Sequence, residues 1–354
     1  MKYRLLALAL VLYALGTAYL WYGRPAELPI LGASVILPSV ENAPPGQLLR
    51  QVSAEAPIEL IVEPDDGVAP VRAAITGAQH SIDLVVYELD DDEIEQALCT
   101  AKAGGVVVRV LLENINSYGR HPNQKAYDAL NSCNVEVKWA PSYFALVHQK
   151  TLITDNTRAI VMTFNLMSKY YASSRDFGII DTDPKDVAAI AGAFTADWSG
   201  QRTVASNGSD LVWSPGSAPV LLGLINSASS TLDIYTLELE DERVNDALKA
   251  AALRGVRVRV VMTYATGWKR ALNELTQAGV VAHTYASSAK RFIHAKVIVA
   301  DSSEAFVGSE NFSRQSLDAN RELGLLITKP AIVSELQATF AGDWAAARPY
   351  SVKN

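Results

Sequence analysis

Hydrophobic positions fall along the 354-residue chain in three regimes. Leu5 to Tyr22 is an uncharged apolar run behind Met1-Lys2-Tyr3-Arg4, and as a helix it would reach about 27 Å, nearly a hydrocarbon core. The run predicts an uncleaved membrane anchor over residues 1–22, with Trp21 and Tyr22 at the far interface and Lys2 and Arg4 in the cytoplasm. A cleaved signal peptide with Gly16-Thr17-Ala18 as its small-residue site is the alternative. Either one places the rest of the chain outside the cytoplasm. From 23 to 57 no period persists and Pro25, Pro29, Pro38, Pro44, Pro45 and Pro57 recur, which predicts an extended linker.

From Ile58 onward the pattern repeats. Ser81-Ile82-Asp83-Leu84-Val85-Val86-Tyr87-Glu88-Leu89 matches Thr231-Leu232-Asp233-Ile234-Tyr235-Thr236-Leu237-Glu238-Leu239. Gly105 to Val110 matches Gly255 to Val260, and Phe194 with Asp197-Trp198 matches Phe340 with Asp343-Trp344. Each copy predicts a strand near Leu84, a helix from Glu93 to Lys102 ended by Gly104-Gly105, and a buried strand from Val106 to Leu112. A second helix, further strands and a closing helix follow. Alternating strands and helices predict an α/β fold of two duplicated α-β-α sandwich units, residues 58–203 and 204–354. Each has a largely parallel mixed sheet covered on both faces, and a pseudo-twofold axis brings a site to their junction.

Composition narrows the reading. The chain is 49% hydrophobic and 19% charged, which indicates a globular body. A net charge of -7 argues against a surface that grips nucleic acid everywhere. Cys99 and Cys133 are the only cysteines, too few for a Cys/His zinc framework. In an oxidising compartment they can bond, closing a loop of about 34 residues. Two separate buried thiols are expected instead, because helical positions often keep Cα atoms too far apart.

The chemistry lies at equivalent points of the two copies. His148-Gln149-Lys150 leads to Asp155, then Asn165 and Asp176; His294-Ala295-Lys296 leads to Asp301, then Asn311 and Glu322. On a strand, residues i and i+2 share a face, so each His–Lys pair can address one ligand. Lysine and asparagine donate to phosphoryl oxygens, and imidazole serves as nucleophile or proton donor near neutral pH. Cationic lysines supply the electrostatics, so no metal or other cofactor is called for. His80, His121 and His283 fit no such pattern and read as ordinary surface or core residues. Asp197-Trp198 and Asp343-Trp344 read as core, and Asp90-Asp91-Asp92-Glu93 as a helix N-terminus.

The paired HxKxxxxD motifs, Gly308-Ser309-Glu310-Asn311-Phe312-Ser313 and Asn320-Arg321-Glu322-Leu323-Gly324 resemble the phospholipase D superfamily over Ile58 to the C-terminus. The resemblance implies a phosphodiesterase in which His148 attacks phosphorus, forming a phosphohistidine, and His294 protonates the leaving alcohol. It also implies that Glu322 orients His148, that Asp176 orients His294, and that Asp155 and Asp301 are structural. Where the second copy has Gly308-Ser309, the first has Met162-Thr163, so Met162 is expected to reshape the phosphate pocket while Thr163 keeps its hydroxyl. The substrate expected from anchor and charge is a phospholipid at a membrane surface, with Lys269-Arg270 and Lys290-Arg291 on loops near the second motif. Nucleic acid is the alternative substrate, an inactive membrane-tethered scaffold is a third reading, and no obligate protein partner is implied.

Overall fold

Two-residue turns explain much of how this chain folds. Asp155-Asn156 and Asp301-Ser302 all have positive φ, 53° and 52° in the first pair and 50° and 60° in the second. Successive left-handed residues make the tight turn that matches strand twist, so each motif runs directly into a hairpin. The structure is a computed structural model that describes residues 58–352. The expected anchor and linker lie outside the described residues. Among the described residues no helix is long and apolar enough to cross a membrane.

The first half runs β1 (Ile58–Glu63), α1 (Ala69–Gly77), β2 (Ser81–Val86), β3 (Leu89–Asp90), α2 (Asp92–Ala103), β4 (Val107–Leu112), α3 (Gln124–Ser132) and β5 (Glu136–Trp139). It continues with β6 (Thr151–Thr154), β7 (Arg158–Met162), β8 (Leu166–Met167), β9 (Ser174–Asp181) and α4 (Pro184–Trp198). The second half repeats this order through β10 (Leu211–Ser214), α5 (Ala218–Ser227), β11 (Thr231–Tyr235), α6 (Glu242–Leu253), β12 (Arg257–Thr263), α7 (Lys269–Gln277) and β13 (Val281–Tyr285). It ends with β14 (Phe292–Ile293), β15 (Val297–Ala300), β16 (Glu304–Gly308), α8 (Arg314–Asp318), β17 (Glu322–Ile327), α9 (Pro330–Ala346) and β18 (Arg348–Pro349).

The first sheet is ordered β1-β9-β7-β6-β2-β4-β5, and the second β10-β17-β16-β15-β11-β12-β13-β18. The sheets are mixed, but they are not largely parallel. In the first, parallel pairing is confined to β2-β4-β5 and to β14 of the other half, which adds to β9. The β6–β7 hairpin pairs antiparallel because a tight turn can only reverse the chain, and β2, β9 and β1 also pair antiparallel around it.

Helices α1, α2 and α3 bury Ile75, Ile94, Leu98 and Leu130 on one face of the first sheet, and the second half matches this with Leu221, Leu248, Leu272 and Leu275. The inner faces of both sheets share one core, which includes Val85, Phe177, Phe194, Tyr235, Val297 and Phe340. The predicted acidic helix start is a cap: Asp91 accepts from Glu93 N and Ile94 N. The recurring tryptophans lie in matched stacks, where Arg109, paired with Asp83, lies over Phe194 and Trp198 and Arg259, paired with Asp233, lies over Phe340 and Trp344.

Two expectations change. Cys99 and Cys133 form a disulfide, with Cα atoms 5.6 Å apart, because α2 and α3 pack side by side and bring their C-terminal ends together. Lys269 and Arg270 open helix α7 rather than lying on a loop. Trp268 and its neighbours form a short 3₁₀ turn that runs straight into that helix.

Candidate active site

Both motif histidines precede their strands instead of lying on them. β6 starts at Thr151 and β15 at Val297, so His148, Lys150, His294 and Lys296 occupy extended lead-in segments. The opposite half holds these segments. His148 N and Gln149 N donate to Arg321 O, at 2.9 Å each, and His294 N and Ala295 N donate to Arg175 O at 3.2 and 3.0 Å. The two arginines carry out a second exchange: Arg175 Nε lies 2.6 Å from Asp343 Oδ2, and Arg321 Nε 2.9 Å from Asp197 Oδ2. Sequence reading missed this role for Asp197 and Asp343, although Arg175 and Arg321 share their repeat offset.

Each histidine meets an acid from the other half. His148 Nδ1 is 2.7 Å from Glu322 Oε2, and His294 Nδ1 is 2.9 Å from Asp176 Oδ1. Ser316 Oγ and Asn320 Nδ2 donate to Glu322 Oε1 at 2.6 and 3.0 Å. Thr163 Oγ1 donates to Asp176 Oδ1 at 2.6 Å and accepts from Phe177 N at 2.9 Å. Ser309 Oγ accepts from Leu323 N, the matching backbone bond of the second half. With Nδ1 committed to a carboxylate, Nε2 is the nitrogen left for chemistry at each ring.

The lysines are fully buried. Lys150 Nζ donates to His148 O and lies 5.2 Å over the Tyr87 ring, which packs edge-on against His148. Lys296 Nζ donates to His294 O at 2.6 Å and approaches the His294 ring nitrogens at 3.2–3.3 Å. Burial pushes Lys150 well below the ordinary lysine range. Lys296 comes down to about 8, because burial outweighs the pull of Asp176 and Glu322. Burial brings His148 down to about 4 against the attraction of Glu322, and lowers His294 against Asp176. Burial pushes Glu322 up, but His148, Lys150 and Ser316 together outweigh it and leave the carboxylate below its usual range. Both lysines act electrostatically on both histidines, so the four groups make one site rather than two.

Asn165 and Asn311 follow the motif hairpins with buried Oδ1 atoms that make no intramolecular hydrogen bond. Such uncommitted amides are what a ligand can use. Asp155 and Asp301 are not brought into the site. They lie at the far ends of β6 and β15, accepting backbone N–H groups of Gln79, His80 and Ser81 and of Ser229, Ser230 and Thr231. Their carboxylates tie the hairpin turns to the starts of β2 and β11.

Met162 does not reshape a phosphate pocket. Met162 is fully buried in the outer core of its half. At Gly308 an added Cβ would collide with the Phe306 ring and the Glu310 carboxylate, and would lie 2.7 Å from Gly324 Cα. The glycine therefore makes room for protein, not for ligand. Glu310, absent from the sequence-level candidates, is fully buried, and burial beside Glu322 raises it well above the usual carboxylate range.

Two α/β halves, each lending a His-x-Lys segment to a common site, define a phospholipase D-like protein. The family described as cardiolipin synthase, PLD-like domain, matches residues 71–198 and 221–344, and the chain belongs to it. Cardiolipin synthase 2 of Bacillus anthracis is 25% identical over 342 residues, spanning 82% of this chain and 65% of that protein. Cardiolipin synthase of Clostridium perfringens (strain 13 / Type A) is 28% identical over 326 residues, spanning 76% and 66%. The chain thus covers just under two thirds of the length of these curated relatives. The solved phosphatidylserine synthase of Haemophilus influenzae Rd KW20 shares the fold at TM-score 0.67 and 12% identity, covering 85% of this chain and 88% of that one. Polyphosphate kinase from Porphyromonas gingivalis shares it at TM-score 0.64 and 14% identity, covering 80% and 46%.

Proposed function

We propose that this protein transfers or hydrolyses phosphatidyl groups of phospholipids through a phosphohistidine on His148. The observation that carries the reading is the crosswise pairing of each histidine with the other half's acid, between two buried lysines. Neutral His148, with Nδ1–H donated to Glu322, presents the Nε2 lone pair to phosphorus. As the N–P bond forms, the P–O bond to the leaving alcohol breaks and Nε2–H of protonated His294 supplies its proton. Burial lowers the proton affinity of His294 in the empty site, but an anionic phosphodiester beside it raises that affinity. Lys150 and Lys296 neutralise the non-bridging oxygens, and the Nδ2 groups of Asn165 and Asn311 are the donors that orient them. Water or a second alcohol then attacks phosphorus, returns its proton to His294 and frees His148.

The same reading places the catalytic body outside the cytoplasm behind the N-terminal apolar segment. Incubating the purified chain with phosphatidylglycerol, phosphatidylcholine, cardiolipin and single-stranded DNA tests it. Release or exchange of lipid headgroup, with acid-labile phosphate on His148, is expected. Cleavage of DNA with all lipids untouched would replace the reading with a nuclease.

A further inference from the structure

Four of the segments that emerge at the edge carrying the histidines share a composition. Residues 114–122 follow β4, whose Leu112 end lies beside Val86, and Ser117 N donates to the Tyr87 hydroxyl next to His148. Residues 264–269 follow β12, where Thr263 Oγ1 accepts from Ile293 N beside His294. Residues 168–173 precede β9, and Ser173 O accepts from Phe292 N. Residues 286–291 lead into β14 and on to His294. In a chain of net charge -7, none of the four contains an aspartate or glutamate, whereas together they hold Arg120, Lys169, Lys269, Lys290 and Arg291.

Aromatic exposure concentrates at the same place. Tyr118 is 83% exposed, Tyr170 49%, Ile115 44% and Phe292 38%; the three aromatics are the only exposed ones among the described residues. Lys169 Nζ lies 4.9 Å over the Tyr170 ring, and Phe292 stacks 6.4 Å from His294. Of the acids at this edge, Glu88 accepts from Asn116 and Glu113 from Val147 N, whereas Asp90 and Glu240 stay exposed.

Exposed aromatics with lysine and arginine around them suit the boundary between headgroups and acyl chains, where rings sit at headgroup depth and cations meet anionic lipid. We propose that these four segments form a docking rim for an anionic phospholipid bilayer, placing the His148–His294 site against the lipid surface. This rests on the lipid reading of the site. A single-stranded nucleic acid would also meet the cations and stack on the rings, but it has no use for Ile115.

The test uses the full chain. Both native cysteines are bonded, so one introduced cysteine is the sole free thiol. Tyr118→Cys and Tyr170→Cys, each carrying an environment-sensitive fluorophore, report the rim. Leu253→Cys, 79% exposed at the end of α6 away from the histidines, is the control. Because the N-terminal segment by itself can bring protein to vesicles, label burial is read, not binding. On vesicles of equal phosphatidylcholine and phosphatidylglycerol, blue-shifted emission is expected at 118 and 170 and not at 253. The shift should weaken on pure phosphatidylcholine and in Lys169→Glu/Lys290→Glu.

That double variant should lose at least about tenfold in turnover of vesicle phosphatidylglycerol while hydrolysing monomeric short-chain phosphatidylglycerol at the wild-type rate. Rim labels as wet as the Leu253 label on every vesicle would overturn the proposal, as would shifts seen with single-stranded DNA alone. Label burial without turnover of either lipid by the wild-type chain would sink the catalytic reading and leave the rim standing.

Discussion

In the first half Ile160, Met162 and Phe164 fill the space behind the motif hairpin; in the second, Phe306, Gly308 and Glu310 occupy the equivalent positions. Strand register is the same, with Met162 opposite Gly178 and Gly308 opposite Gly324. In the second half the Phe306 ring takes the space that a side chain at position 308 would need. The orienting acids differ too. Glu322 lies across from Ser214 and is held by Ser316, Asn320 and His148. Asp176 lies across from Glu63, a buried carboxyl that burial and Asp176 raise to about 8. Duplication thus preserved the main chain, while the side chains behind each histidine diverged as local sets.

Alanine at either histidine should have the largest effect, lowering turnover by about 10³-fold or more with the circular dichroism spectrum unchanged. Near-normal turnover in one variant would mean the halves do not share one reaction. The acids separate their roles. Glu322→Gln should slow phosphohistidine formation by roughly 10²-fold with any leaving group, measured by single-turnover quench and mass spectrometry. Asp176→Asn should slow it comparably with an alkyl leaving group but far less with p-nitrophenol, which needs little protonation. The opposite pattern would exchange nucleophile and acid.

Packing differences make stability predictions. Met162→Ala should cost about 2–5 kcal/mol through a cavity, and Gly308→Ala roughly 1–3 kcal/mol through overpacking, both by urea titration. Importing the first half's set as Gly308→Met with Phe306→Ile and Glu310→Phe should be less damaging than Gly308→Met alone, because the changes are coupled. Only the first half carries the disulfide, and the corresponding places in the second hold Lys249 and Ala278. Removing it with Cys99→Ser/Cys133→Ser should cost about 3–4 kcal/mol from its loop length.

The mildest test is pH. Attack requires neutral His148, whose proton affinity in the free site is lowered to about 4, so kcat/KM should rise as pH increases through about 4. Departure of the alcohol requires protonated His294, whose proton affinity burial lowers in the free site. Thus kcat/KM should fall as pH rises past that lowered imidazole range, before Lys296 deprotonates at about 8. Asp176→Asn, which removes the anion that helps hold a proton on His294, should move that upper limb to lower pH in whatever activity remains.

The sequence by itself determined the duplication, the element order and the identity of the paired His–Lys segments, because each is written locally: a repeat offset, a buried-strand run, a fixed spacing. Asp91 as a helix cap was legible for the same reason, since capping is settled within a single turn. The antiparallel hairpins are also written in Asp155-Asn156 and Asp301-Ser302, whose local turn chemistry overrides the strand–helix alternation around them. What only the tertiary structure decided lies between distant segments. Arg175 finds Asp343 across 168 residues, Arg321 finds Asp197 across 124, and helices α2 and α3 bring two cysteines within bonding distance. Periodicity states that a side chain is buried, not which partner meets it there. At buried positions partner choice is fixed by how the two sheets pack over their shared core, so the crosswise site exists only once both halves are folded together.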